Sequence, residues 1–203
     1  MSFQAWIIFT SFWALFVTTP GPNAVNCIQN GMTHGFARSL WGVAAILTQA
    51  SLFLLGSALG VTALILASPT LFFWVQMTGA GVLIWLGLRG WMNAAKPVVT
   101  SASAGSLYGR ALAIATFNAK SVAGYLAAFS QFVEPGVPIW AQMQVIVPTA
   151  LTLTALSYTG YTALGAGLGK LALGAVMNLW VRRTLAVCFI LYGVLLGLAQ
   201  LPT

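Results

Sequence analysis

The sequence predicts an all-α integral membrane protein with six transmembrane helices, and three observations carry that prediction. Of its 203 residues 60% are hydrophobic and 4% charged, with mean hydropathy +0.94, whereas a water-soluble domain carries roughly 25% charged residues. Apolar runs recur at the length of about 20 residues that a helix needs to cross the hydrocarbon. Apart from Lys120, every basic residue falls at or near one set of alternate connections between those runs. Such a surface cannot face water.

The first span, roughly 3–32, is apolar from Phe3 to Val17 and resumes with Ala24, Val25, Cys27 and Ile28. Between the two parts stands Thr18-Thr19-Pro20-Gly21-Pro22-Asn23. Pro20 and Pro22 donate no backbone hydrogen bond and Gly21 is conformationally free, so one helix must stop here and another begin. In lipid a break of this kind is tolerated only where protein or a water-filled cavity satisfies the freed backbone groups. It reads as a lined site within the membrane, with a proline kink that holds no ligand as the alternative. The run has no basic n-region and further spans follow, so it does not read as a cleaved signal peptide.

The second and third spans, 40–66 and 70–91, meet at the Ser68-Pro69 turn. The stretch Lys96-Pro97 to Gly105-Ser106 reads as the linker between halves of about 1–95 and 106–203 of a single transmembrane domain. The fourth span, 108–133, is interrupted at Phe117-Asn118-Ala119-Lys120, a place that matches the first break. Glu134-Pro135-Gly136-Val137-Pro138 separates it from the fifth, 139–166. Leu173 to Asn178 then leads to the sixth, 179–200.

The connections after spans one, three and five hold Arg38, then Arg89, Lys96 and Arg110, then Lys170, Arg182 and Arg183. The opposite side carries only Glu134. Positive residues mark cytoplasmic loops, which places both termini outside. A net charge of +7 could suggest nucleic acid, but no basic stripe with interleaved aromatics exists, and that partner is excluded. Trp6, Trp41, Trp91, Trp140 and Trp180 near span ends form an interfacial belt.

The halves also resemble each other. Trp74-Val75-x-x-Thr78-x-Ala80-x-x-x-Ile84-x-x-Gly87 recurs as Trp180-Val181-x-x-Thr184-x-Ala186-x-x-x-Ile190-x-x-Gly193, and Asn23-Ala24 is echoed by Asn118-Ala119. Three spans per half make the two repeats inverted in the membrane. Interrupted helices at corresponding positions of inverted repeats point to a transporter's central site.

Lys120 is the sharpest candidate within that site. It lies ten positions beyond Arg110, about 15 Å further along a helix. A lysine in mid-membrane costs roughly 2.5–3.5 kcal/mol and is a functional candidate by default; snorkelling to the interface is the alternative. Asn23 and Asn118 follow the two breaks, where their side-chain oxygens can cap the restarting helices. The half-helix N-termini would offer free N–H groups and partial positive charge to a carboxylate. Gln49, Thr48, Gln76 and Tyr158 are polar residues available to line the cavity or to bond between helices. Gly56-x-x-x-Gly60, Gly165-x-x-x-Gly169 and Gly193-x-x-x-Gly197 allow close helix contact, within the chain or in a homodimer.

With no Asp, a single Glu and a single His, neither a Ser-His-Asp triad nor a carboxylate metal cluster can be assembled. His34 reads as a loop residue, and Cys27 and Cys188 as small core hydrophobes. No enzyme, metal or cofactor is expected.

Pro20-Gly21-Pro22-Asn23, Gly31 with Gly35 and Gly42, Leu86-Gly87-Leu88-Arg89, Asn118-Ala119-Lys120 and Ser130-Gln131-Phe132-Val133 together are similar to motifs of the LysE/RhtB family of amino-acid exporters. The resemblance covers essentially the whole chain. It implies a secondary transporter of the bacterial inner membrane that exports a small metabolite. Two departures stand out. Ala119 replaces the family's Pro after the fourth-span Asn, and Leu47-Thr48-Gln49 stand where many relatives carry an acidic residue. A cationic amino acid would therefore bring an unpaired second charge, so a zwitterionic, neutral amino acid is the expected substrate. Pro20, Gly21, Pro22, Asn23, Asn118, Lys120, Gln49 and Thr48 are the expected binding residues, with Lys120 on the carboxylate and protons as coupling ion. The competing readings are a small-ion or metal exporter, which would want ligands the spans lack, and a structural membrane protein that packs a partner on its glycine faces.

The loop charges generate a direct test. A topology reporter fused after Thr203 should report the outer side and one inserted within 97–105 the cytoplasm. A cytoplasmic C-terminus would require an odd number of spans.

Overall fold

The computed structural model describes residues 1–96, 106–134 and 136–199, and the regular structure among them is entirely helical. In chain order the helices are α1 (Phe3–Thr18), α2 (Pro22–His34), α3 (Phe36–Ala67), α4 (Pro69–Met92), α5 (Leu107–Thr116), α6 (Ala119–Phe132), α7 (Ile139–Leu168), α8 (Lys170–Val176) and α9 (Leu179–Leu198). By length and apolar composition, α3 over Phe36–Gly60, α7 and α9 can each cross a membrane. α1 and α2 make a fourth candidate, bent by 55° at the break.

Both interruptions are real, and their chemistry differs. Between α1 and α2, Gly21 is the N-cap residue and Pro22 opens α2; proline suits a first helical position because its missing N–H has no partner there anyway. Between α5 and α6 no proline is present. Asn118 breaks the helix there by accepting the Lys120 N–H on Oδ1 at 3.1 Å, as an N-cap residue does. The milder break expected from Ala119 is still a break.

Two connections differ from expectation. α2 runs on to His34, so that residue ends a helix instead of sitting in a loop, and only Gly35, at φ +75°, separates α2 from α3. That left-handed backbone is open to glycine without the clash a Cβ brings. Part of the Leu173–Asn178 link is helical, because α8 starts straight after Gly169, which turns the chain at φ +54°. The linker at 97–105 lies outside the described residues.

The core is aromatic. Phe9, Phe12, Trp13 and Phe16 on α1 meet Tyr125 and Phe132 on α6 and Phe189 on α9. Trp13 Nε1 donates to the Ala150 carbonyl at 3.0 Å and to Thr154 Oγ1 at 3.1 Å, which fixes α1 along α7. Between α4 and α9 the contact is reciprocal. A Cβ on Gly87 would come within 2.7 Å of the Ala186 carbonyl and 2.6 Å of Ile190 Cγ1, and one on Gly193 within 2.8 Å of the Ala80 carbonyl and 2.7 Å of Ile84 Cγ1. The later residue of each helix meets the earlier residues of the other, so the two run antiparallel. α2 and α7 cross in the same manner, Gly31 against Thr162 and Gly165 against Ile28. Gly56 and Gly60 meet nothing within 4 Å.

Hydrogen bonds close the helix ends. Arg182 on α9 donates to the Asn93 and Lys96 carbonyls just past α4, at 3.0 and 2.7 Å. Gln142 on α7 holds both the N–H and the carbonyl of Glu134.

Because backbone leaves no space at the α4–α9 crossing, Gly87→Val or Gly193→Val should destabilise by about 1–3 kcal/mol through overpacking. Gly81→Val, where nothing lies within 4 Å, should be near neutral. Thermal unfolding of the detergent-solubilised variants reads the difference.

Candidate functional site

A helix end leaves its last carbonyls without partners, and in a membrane water is not at hand to supply them. α1 ends in this position, and the second half of the chain satisfies it. Leu15 O accepts the Thr19 N–H and hydroxyl, Phe16 O accepts Lys120 Nζ at 2.7 Å, and Val17 O accepts Ser157 Oγ at 3.0 Å. Thr18 O accepts the Tyr161 hydroxyl, and Thr19 O accepts Lys120 Nζ at 2.6 Å. Every carbonyl from Leu15 to Thr19 is bonded.

This arrangement explains how Lys120 sits inside the protein with no carboxylate beside it. The ammonium lies at the negative end of the α1 dipole and 5.1 Å from the centre of the Phe16 ring. Two of its three donors are on α1 carbonyls. Its stem borders the break, since a Cβ on Gly21 would lie 3.5 Å from Lys120 Cδ. Pro20–Asn23, Asn118 and Lys120 are thus brought together.

The other side of the break is left open. α2 begins at Gly21 without a side-chain cap. Pro22 has no N–H, and the first backbone bond is Val25 N–H to Gly21 O. The N–H groups of Asn23 and Ala24 therefore face the break at the positive end of α2. Asn23 does not cap the helix as its sequence position suggested; it is the second residue in, buried beside Tyr158, and its Oδ1 has no partner.

Asn23 also opens a polar face that sequence reading missed. Asn23, Asn26, Asn30 and His34 follow one another at steps of three and four, which places them in one stripe of α2, about 16 Å long. The three asparagines are buried. Asn23 Oδ1, Asn26 Nδ2, Asn30 Nδ2 and His34 Nδ1 are all buried and without a partner among the described residues. Arg110, on α5, donates to Asn30 Oδ1 while its Nε stays buried and unbonded. More than half of such orphaned atoms in the described chain lie on this stripe and Arg110. Buried polar groups are normally paired with protein or ordered water, so the stripe offers bonds that the described residues do not themselves fill. The spacing of the asparagines was the available signal.

Residues 14–200 match the family described as LysE type translocator. The chain belongs to that family. It is 28% identical over 204 aligned residues to an uncharacterized membrane protein of Vibrio cholerae, covering 98% of this chain and all of the relative. It is 26% identical to a homoserine/homoserine lactone efflux protein of Salmonella typhimurium, over 98% of this chain and 99% of that one. A leucine efflux protein of an Enterobacter species is 27% identical over 71% of each chain. No solved structure matches.

In this LysE-type translocator the remaining expected site residues separate. Gln49 on α3 is buried, with Nε2 unbonded among the described residues. Thr48, next to it, is exposed and accepts the Tyr108 hydroxyl at 2.9 Å. Ser157 and Tyr161, which close the break, carried no sequence signal beyond their polarity in an apolar run. Gln76 uses its carbonyl to accept from the buried amide of Gln131.

Removing the carbonyl caps should loosen the break. Ser157→Ala and Tyr161→Phe should each destabilise by about 1 kcal/mol, with faster hydrogen exchange confined to the end of α1. Unchanged exchange there would show that these bonds do not hold the break.

Proposed function

We propose that this LysE-type translocator is a secondary transporter that exports a small zwitterionic metabolite, most simply a neutral amino acid, across the bacterial inner membrane. The observation that carries the reading is the asymmetry of the α1–α2 break. Its carbonyls from Leu15 to Thr19 are bonded, whereas the N–H groups of Asn23 and Ala24 have no partner among the described residues, and Lys120 Nζ would lie 4.0 Å from a Cβ on Gly21. That combination suits a carboxylate. The efflux relatives are named for homoserine and homoserine lactone and for leucine, and homoserine and leucine are neutral amino acids.

The reading places six spans in two inverted halves, with both termini outside. The antiparallel, reciprocal contact of the duplicated Ala80/Ile84/Gly87 and Ala186/Ile190/Gly193 motifs supports a two-fold relation of this kind. Pro20, Gly21, Pro22, Asn23, Asn118 and Lys120 form the central binding position, with Gln49 beside the path and Thr48 at its margin. Lys120 meets the carboxylate with its third donor, and Asn23 Oδ1, unpaired among the described residues, accepts from the ammonium of the substrate. Proton exchange at Lys120 is the proposed coupling to the gradient.

Inverted membrane vesicles loaded by L-leucine or L-homoserine, with and without a pH gradient, test this. Lys120→Met should abolish uptake by at least tenfold while the protein still inserts, and Lys120→Arg should keep part of it, because the charge survives without the compact geometry. Wild-type uptake in Lys120→Met would leave the lysine as an anchor of α1 alone.

A further inference from the structure

Arg110 is a second cation, part-buried against the α2 polar face, and the transport reading does not use it. Its guanidinium rests on an amide, the Asn30 side chain, and not on an acid. The chain has one acidic residue, Glu134, and it lies past the far end of α6, 24 residues on from Arg110. A guanidinium carries five donors in a planar fork and stays charged. Here Nε, one of those five, is buried with nothing to bond. Asn30 is 1% exposed, and its Nδ2 is likewise unbonded. Asn26, one turn nearer the break, presents a third free donor in Nδ2. Gly42 packs against the Asn30 amide, since a Cβ there would come within 3.3 Å of Asn30 Nδ2.

A part-buried cation beside unpaired amide donors, whose bonded acceptor among the described residues is one amide oxygen, lacks an anion. We propose that Arg110, with the free amide donors of Asn30 and Asn26, is a carboxylate-binding position at the end of the α2 polar face away from the break. It rests on the transport reading in one respect, that the carboxylate belongs to the transported amino acid. The substrate then meets Arg110 first and moves along Asn26 and Asn23 to the break, about 15 Å further on. A cation stands at each end of that stripe, and amide groups lie between. Binding at Arg110 uses charge-assisted, bidentate contacts.

The full chain in lipid nanodiscs, titrated with L-leucine, L-leucinamide and acetate, tests the site. For these binding measurements the Arg110 and Asn30 variants are compared in a Lys120→Met background, so that the carboxylate position at the break does not take the probe. Wild type should bind L-leucine in competition with acetate but not with the amide. Arg110→Gln should weaken acetate and L-leucine binding at least tenfold, and Arg110→Lys should recover part of it. Asn30→Asp places a carboxylate against the guanidinium, so it should raise the melting temperature while abolishing acetate binding; this variant keeps the test open if Arg110→Gln does not fold. Unchanged acetate affinity in Arg110→Gln or Asn30→Asp overturns the site. L-leucine export at wild-type rate by Arg110→Gln overturns it while sparing the transport reading. Acetate bound through Arg110 in a protein that exports no amino acid would sustain the site and remove the transport reading.

Discussion

Everything at the centre of this protein follows from the rule that a backbone carbonyl in hydrocarbon must be bonded. Thr18 to Asn23 breaks a helix where water is not freely available, and the cost of the carbonyls left bare would be several kcal/mol each. Lys120, Ser157 and Tyr161 remove that cost. Their bonds cross from the second half of the chain to the first, so the break is a product of tertiary structure and not of the local sequence. Proline and glycine make it possible; α6 and α7 make it stable.

The same bonds settle a second electrostatic problem. An ammonium without a counter-ion and a helix C-terminus without caps are each unfavourable, and placed together each compensates the other. No acid is needed inside, which agrees with a sequence that offers none there. The polar stripe of α2 follows the opposite logic. Each of its amides keeps one buried atom unpaired among the described residues, in a protein otherwise economical with polar side chains.

The apolar runs, the position of both interruptions and the duplicated motif were legible because each depends on local residue chemistry: hydropathy, the missing N–H of proline, and repetition. The glycines that touch backbone were legible only as possibilities. Gly165 and Gly193 meet a partner helix while Gly56 and Gly60, with the same spacing, meet nothing, and spacing does not say which face a neighbour covers. Asn23 looked like a cap because it follows the break, but Gly21 and Pro22 start the helix two residues earlier. Lys120 was found, its partners were not, since they are carbonyls and every residue has one. His34 and α8 fell where a turn can be made by a single glycine, and the sequence resembles a loop until the helices on either side are seen to continue.

The sequence distance between α1 and its caps sets an order in time. Lys120 follows Thr19 by 101 residues and Tyr161 follows Thr18 by 143. At a synthesis rate of roughly 5–20 residues per second, α1 has emerged from the ribosome for on the order of ten seconds before Tyr161 exists. Throughout that interval the Thr18 carbonyl can be satisfied only by water or by the insertion machinery around it. The first helix of this protein cannot settle at its final depth when it is made; it must wait, partly hydrated, for the chain that will close it.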